Sequence, residues 1–201
     1  MPRLRLMISG IASREQAGAA VEAGADAIGL DPSAFPQAGP EGSEALAAIA
    51  LALPPAVTPI LATPALTAGT VAQQVDASAA LAVRLARPIA TSEYPGLKRI
   101  IRGRKIIQSI DPAHSDASAL VETYASLADA LHLNLDDADD LGACRHLIEL
   151  AGLPCFLGLT DPALLPAAAA LQPHAIDFVL AGEDGFDPPA LHRFAAALAS
   201  L

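Results

Sequence analysis

Eight short apolar runs recur along this chain, each followed by a longer alanine-rich stretch with helical spacing. That alternation is the pattern of a parallel sheet whose strands are joined by crossover helices. Strands are expected at Leu4–Ser9, Ala27–Leu30, Thr58–Ala62, Ala82–Leu85, Ile106–Ile110, Ala130–Leu135, Cys155–Leu159 and Asp177–Leu180. Helices fill the intervals, from SREQAGAAVEAG after the first strand to DPALLPAAAALQ after the seventh. PPALHRFAAALASL closes the chain, with prolines at the helix start, where a missing N–H costs nothing. Eight strand–helix units in 201 residues predict an α/β chain, a compact (β/α)8 TIM barrel forming a single domain over residues 1–201. The alternative is an open doubly wound sheet, which seldom needs eight evenly spaced units.

Composition narrows the function classes. The chain is 53% hydrophobic yet only 3% aromatic, and its many alanines favour helices that sit close to a sheet. The apolar stretch LAAIALALPPAV is broken by Pro54 and Pro55, well short of the roughly 20 residues a bilayer span needs. The start, MPRLRLM, enters a strand pattern rather than a signal-peptide apolar region. A formal net charge of −10 argues against a nucleic-acid backbone as the main partner. It leaves room for a small anionic ligand, because backbone amides at helix starts bind phosphate whatever the global charge. Cys144 and Cys155 are too few for a disulfide framework or a zinc site and read as buried thiols of a cytoplasmic protein.

The segments ISGIASREQAGAAVEAGADAIGL, ALPPAVTPIL, SEYPGLKR, LPCFLGLTDP, HAIDFVLAG and DPPALHRFAAALASL together resemble the phosphoribosylanthranilate isomerase family of tryptophan biosynthesis, nearly end to end. The resemblance implies the barrel fold, no cofactor, a monomer or homodimer, and an Amadori rearrangement of a phosphoribosylated amine. In that family a cysteine in K-I-C-G is the general base, and an aspartate ending strand six in D-A-x-L-L-D is the general acid. These positions fall on Ser9 and on Asn134 in DALHLN. An unassisted serine hydroxyl does not ionise near neutrality, and a carboxamide has no proton to deliver. Since such groups contribute about 10²–10⁴-fold each, losing both predicts a barrel that has lost the standard reaction.

The ligand-holding positions have changed as well. The family's arginine after strand two falls on Gln37, and its strand-four histidine on Ala86. The acidic DDADDLGA replaces a glycine-rich stretch after strand six. Only Gly158 and Gly182 remain of the glycines after strands seven and eight, where a barrel of this kind holds phosphate. A small phosphorylated metabolite or a protein partner is what the resemblance leaves for such a barrel.

Strand alternation points Arg5, Met7 and Ser9 inward, together with His132, Asn134 and Asp136. Gln108, which falls on the family's strand-five lysine, is also expected to face in. The set Arg5, His132, Asn134 and Asp136 reads in one of two main ways. It is a buried polar network whose members satisfy one another, or a redesigned ligand site with Asp136 or His132 carrying a proton. On the second reading the chain is an active isomerase, or runs altered chemistry from Asp136, His132 and Ser9. His132 and Asp136 make only two metal ligands, so no metal is expected. Lys98, Lys105, His114, His146, His174 and His192 read as surface or structural side chains, and Asp31 as the start of a turn with Pro32.

Overall fold

A computed structural model describes residues 3–32, 40–180 and 187–201. Eight parallel strands close into a barrel in chain order. They are β1 (Arg5–Ile11), β2 (Ala27–Leu30), β3 (Thr58–Thr63), β4 (Ala82–Leu85), β5 (Lys105–Ile110), β6 (Ala130–Leu135), β7 (Cys155–Leu159) and β8 (Ala175–Val179). The helices are α1 (Arg14–Glu22), α2 (Pro40–Ala50), α3 (Ala68–Ala77), α4 (Tyr94–Ile100), α5 (Ala117–Ala125), α6 (Leu141–Ala151), α7 (Leu165–Ala170) and α8 (Pro188–Ala199). Sequence and structure agree on the presence of every strand; β3 ends at Thr63 and β5 starts at Lys105, each one residue beyond expectation, and β1 and β8 shift at both ends. β1 runs on to Ile11 through an irregularity between Ser9 and Ile11, and β8 starts at Ala175 rather than Asp177.

Side-chain alternation sorts the strands into two cores. Outward-facing Ile8, Ile28, Leu61, Val83, Ile106, Leu131, Leu133, Leu157 and Ile176 pack under the helices. Inward-facing Met7, Ala27, Ile60, Ala82, Ile107 and Ala130 form a separate cluster with Phe156. Following the strand register around the barrel resolves the interior into layers, each drawn from alternate strands. At the N-terminal end of the strands lies a layer made wholly of alanine: Ala27, Ala82, Ala130 and Ala175. Met7, Ile60, Ile107 and Phe156 form the next. Above them the even-numbered strands contribute Gly29, Arg84, His132 and Asp177. Ser9, Ala62, Ser109 and Gly158 then lead towards the mouth at the strands' C-terminal ends.

Strand five corrects one expectation. Gln108 is fully buried but faces the helix layer, where its side chain bonds the Tyr94 hydroxyl of α4 and the Ser109 carbonyl, the latter at 2.7 Å. Lys105, Ile107 and Ser109 are the residues on the inward side. Tyr94 rewards that arrangement, because its buried hydroxyl needs an acceptor and Gln108 supplies one.

Candidate functional site

The polar layer converges on one carboxylate oxygen. Asp177 Oδ2 accepts from Ser9 Oγ at 2.8 Å and from Arg84 Nη1 at 2.8 Å, and lies 2.9 Å from His132 Nε2. Asp177 and Ser9 are wholly inaccessible, His132 is 2% exposed and the Arg84 side chain 14%. Arg84 Nη1 also sits 2.9 Å from His132 Nε2. A guanidinium only donates, and Nε2 cannot donate to Asp177 while accepting from Arg84. The carboxylate is the stronger acceptor, so the geometry favours a proton on Nε2 pointing at Asp177, with the arginine alongside.

Electrostatics follow from that crowding. Burial alone would raise the Asp177 pKa, but the His132 hydrogen bond, the Arg84 and His132 charges and the Ser9 hydroxyl together hold it below the usual carboxylate value. Burial and the neighbouring Arg84 charge push His132 down, against the pull of Asp177. The stable state is therefore an ionised aspartate, a charged arginine and a neutral histidine. Arg84 Nε, His132 Nδ1 and Asp177 Oδ1 have no hydrogen-bond partner among the described residues.

Two glycines make the layer possible. A Cβ on Gly29 would overlap Ser9, whose Cα would lie only 2.9 Å away. A Cβ on Gly158 would stand 2.7 Å from His132 Cε1 and 3.1 Å from Asn134 Oδ1. Gly158 thus leaves room for the imidazole under the barrel mouth.

The sequence-derived candidates separate along the barrel axis. Ser9 and His132 meet in the polar layer. Asn134 is exposed at the mouth on β6, and Asp136 is exposed beyond the strand end, so neither joins the network. Arg5 is corrected outright. It begins β1 at the opposite end of the barrel, exposed, with Nη1 3.1 Å from His174 Nε2. It faces inward by alternation, but two layers below the chemistry. Gln37 and Gly182 lie outside the described residues. His114 accepts from the Asp116 amide at 3.1 Å within its own loop, and Lys105 pairs with Asp129 at 3.1 Å.

Arg84 and Asp177 are the residues that sequence reasoning passes over. Each is a charge set between outward-facing apolar neighbours, Val83 and Leu85 or Ile176 and Phe178. That pattern is a readable signal of an inward charge, though one strand does not say which charge on another strand will answer it.

The ends of β6 and β7 carry their own anions. Asp137 accepts from the Asp139 amide at 2.7 Å, and Asp161 from the Ala163 amide at 2.8 Å. Those amides, which open short 3-10 turns, are already capped by carboxylates. Among the described residues no group of three or more His, Cys, Asp or Glu side chains is placed to hold a metal, and no helix is long and apolar enough to cross a membrane.

No family model matches the chain. It is 29% identical over 187 residues to the N-(5'-phosphoribosyl)anthranilate isomerase of Haloarcula marismortui, a match covering 86% of this chain and 84% of that protein. The Pyrococcus furiosus enzyme of the same name superposes with a TM-score of 0.79 at 15% identity, over 99% of this chain and 100% of the other. A phosphoribosylanthranilate isomerase in complex with reduced 1-(o-carboxyphenylamino)-1-deoxyribulose 5-phosphate superposes with a TM-score of 0.74 at 21% identity, over 98% and 100%. The chain is thus similar in sequence, across most of its length, to a phosphoribosylanthranilate isomerase, and it shares the closed eight-stranded barrel of solved structures of that name.

Proposed function

We propose that this barrel has lost the standard aldose–ketose rearrangement and that its mouth serves to bind a small metabolite. The observation that carries the reading is the state of Ser9: its hydroxyl is inaccessible and donates to a carboxylate that Arg84 and His132 keep ionised. A general base must reach the proton it abstracts, and a general acid must hold one near the operating pH. Ser9 does neither, and Asn134, exposed at the mouth, has no ionisable proton. The carboxylates after β6 and β7 weigh further against the family's phosphorylated substrate, because they add like charge at the barrel mouth.

Binding is supported by the relative that holds a phosphorylated sugar derivative in the same fold. The rival reading is an active isomerase of the family, or altered chemistry run from Asp136, His132 and Ser9. It would need Asp136 to turn back over the mouth.

Incubation of the purified protein with N-(5-phosphoribosyl)anthranilate, followed by anthranilate fluorescence, tests the proposal. No turnover is expected, and calorimetry with the reduced deoxyribulose phosphate derivative then reads binding alone. Turnover that disappears in Asp136→Asn would overturn it in favour of the rival.

A further inference from the structure

The end of the barrel opposite the mouth holds a cup. A cavity of about 410 Å3 opens there, within the roughly 300–1,000 Å3 that small-molecule pockets occupy. Its cause is the alanine layer. In barrels of this class the interior layers are dominated by bulky branched residues, and here Ala27, Ala82, Ala130 and Ala175 stop short of the axis. Met7, Ile60, Ile107 and the half-buried Phe156 then form its apolar floor.

The rim is charged but not evenly balanced. Asp26 bonds the Leu6 amide at 2.9 Å and pairs with Arg3, and Asp129 bonds the Ile106 amide at 2.9 Å and pairs with Lys105. Each carboxylate therefore already holds a strand start and a cation. Arg5 has no carboxylate within ion-pair distance among the described residues; its polar neighbour is His174 Nε2. A guanidinium can only donate, so that nitrogen accepts and the histidine is neutral. The His174 ring in turn packs on Phe156, with centroids 5.6 Å apart, joining the cation's partner to the apolar floor.

We propose that this cup binds a small monocarboxylate with a compact apolar body, its alkyl or aryl part on Phe156, Ile60 and Ile107 and its carboxylate on Arg5. The cup lies at the other end of the barrel from Ser9 and Asn134, with the Arg84–His132–Asp177 layer between them. It is independent of whether the mouth is catalytic.

Octanoate serves as the probe, with octan-1-ol and octylamine as controls, measured by calorimetry on the intact chain. Octanoate is expected to bind more tightly than either control. Arg5→Gln, a change on an exposed side chain, should weaken octanoate by about tenfold and leave octanol unaffected, the effect of losing one charge-assisted bond. Ala82→Leu should abolish binding of both by filling the cup, and should raise Tm because the new side chain packs into the cavity. If Ala82→Leu fails to fold, the Arg5→Gln comparison of octanoate with octanol still decides. Equal affinity for octanoate and octylamine, or octanoate binding unaltered in both variants, would overturn the assignment, as would no binding at millimolar octanoate.

Discussion

Ser9 on β1 and Asp177 on β8 are joined by a 2.8 Å hydrogen bond inside the barrel, with the hydroxyl donating to a carboxylate that also neutralises Arg84. The residue that the resemblance sets at the family's base position donates to a buried aspartate. Ser9→Ala should therefore leave any residual conversion of phosphoribosylanthranilate where it is in the parent. It should lower stability by about 1 kcal/mol, the net worth of one hydrogen bond. Parallel fluorescence assays and urea titrations check both halves.

The Arg84–Asp177 pair is buried deeply enough that removing one partner strands the other. Asp177→Asn is expected to destabilise the barrel by about 3–5 kcal/mol, as for other buried pairs broken from one side. Arg84→Met combined with Asp177→Leu should cost less than the sum of the two single changes, because no uncompensated charge remains. Denaturant midpoints of the two single variants and the double variant provide the cycle.

Acid should loosen this layer in two stages. His132 titrates below its ordinary value of 6.5 in the folded chain, so the unfolded chain binds more protons as pH falls past that value. Stability is fully present above it and declines beneath. Asp177 is likewise held below 3.8, and its contribution is complete above that pH and lost as pH falls through the depressed folded value. Unfolding free energy should be flat from pH 7 to 8 and should fall as pH drops below 6.5, with a further loss in strong acid. His132→Gln should flatten the first decline, read by urea titration across that range.

Gly158→Ala would press a methyl group against His132 Cε1 at 2.7 Å. The imidazole can yield only by leaving Asp177, so a loss of about 1–3 kcal/mol is expected, together with a weaker pH dependence below 6.5. Gly29→Ala should cost more, since the Ser9 backbone as well as its side chain stands in the way. Thermal melts at pH 7 and pH 5.5 distinguish the two.

Both thiols should be inert. Burial, with the Asp140 and Asp136 charges, pushes the Cys144 thiol up to about 12, and burial pushes Cys155 up to about 11. Since the thiolate is the reactive form, labelling by a disulfide reagent at pH 8 should proceed only as fast as the chain unfolds. Stopped-flow labelling with and without urea measures this.

The eight strands were legible in the sequence because each carries its own instruction. An apolar run bounded by helix signals says strand whatever its neighbours do, and strict alternation places Ser9 and His132 inside. Gln108 shows where that logic stops. Ile106, Gln108 and Ile110 form one face of β5 and Lys105, Ile107 and Ser109 the other, and nothing within the strand says which face meets the helices. Pairing decided it: Gln108 lies level with Leu85 of β4 and Leu131 of β6, both on the helix side, and there it meets the Tyr94 hydroxyl. Arg5 failed differently: alternation gives direction but not height along the barrel axis, and height put it two layers from the chemistry.

What the sequence determined by itself was local: strand or helix, which residues of a strand share a face, and a serine and a carboxamide where the resemblance implies a thiol and an acid. Tertiary structure decided which inward charges would meet. The barrel's stagger brings β4, β6 and β8 to one level, so that Arg84, His132 and Asp177, far apart in the chain, share a single oxygen. The same stagger sets four alanines level at the other end and opens a cup there. Both outcomes depend on shear, a property of the closed sheet that no single strand encodes.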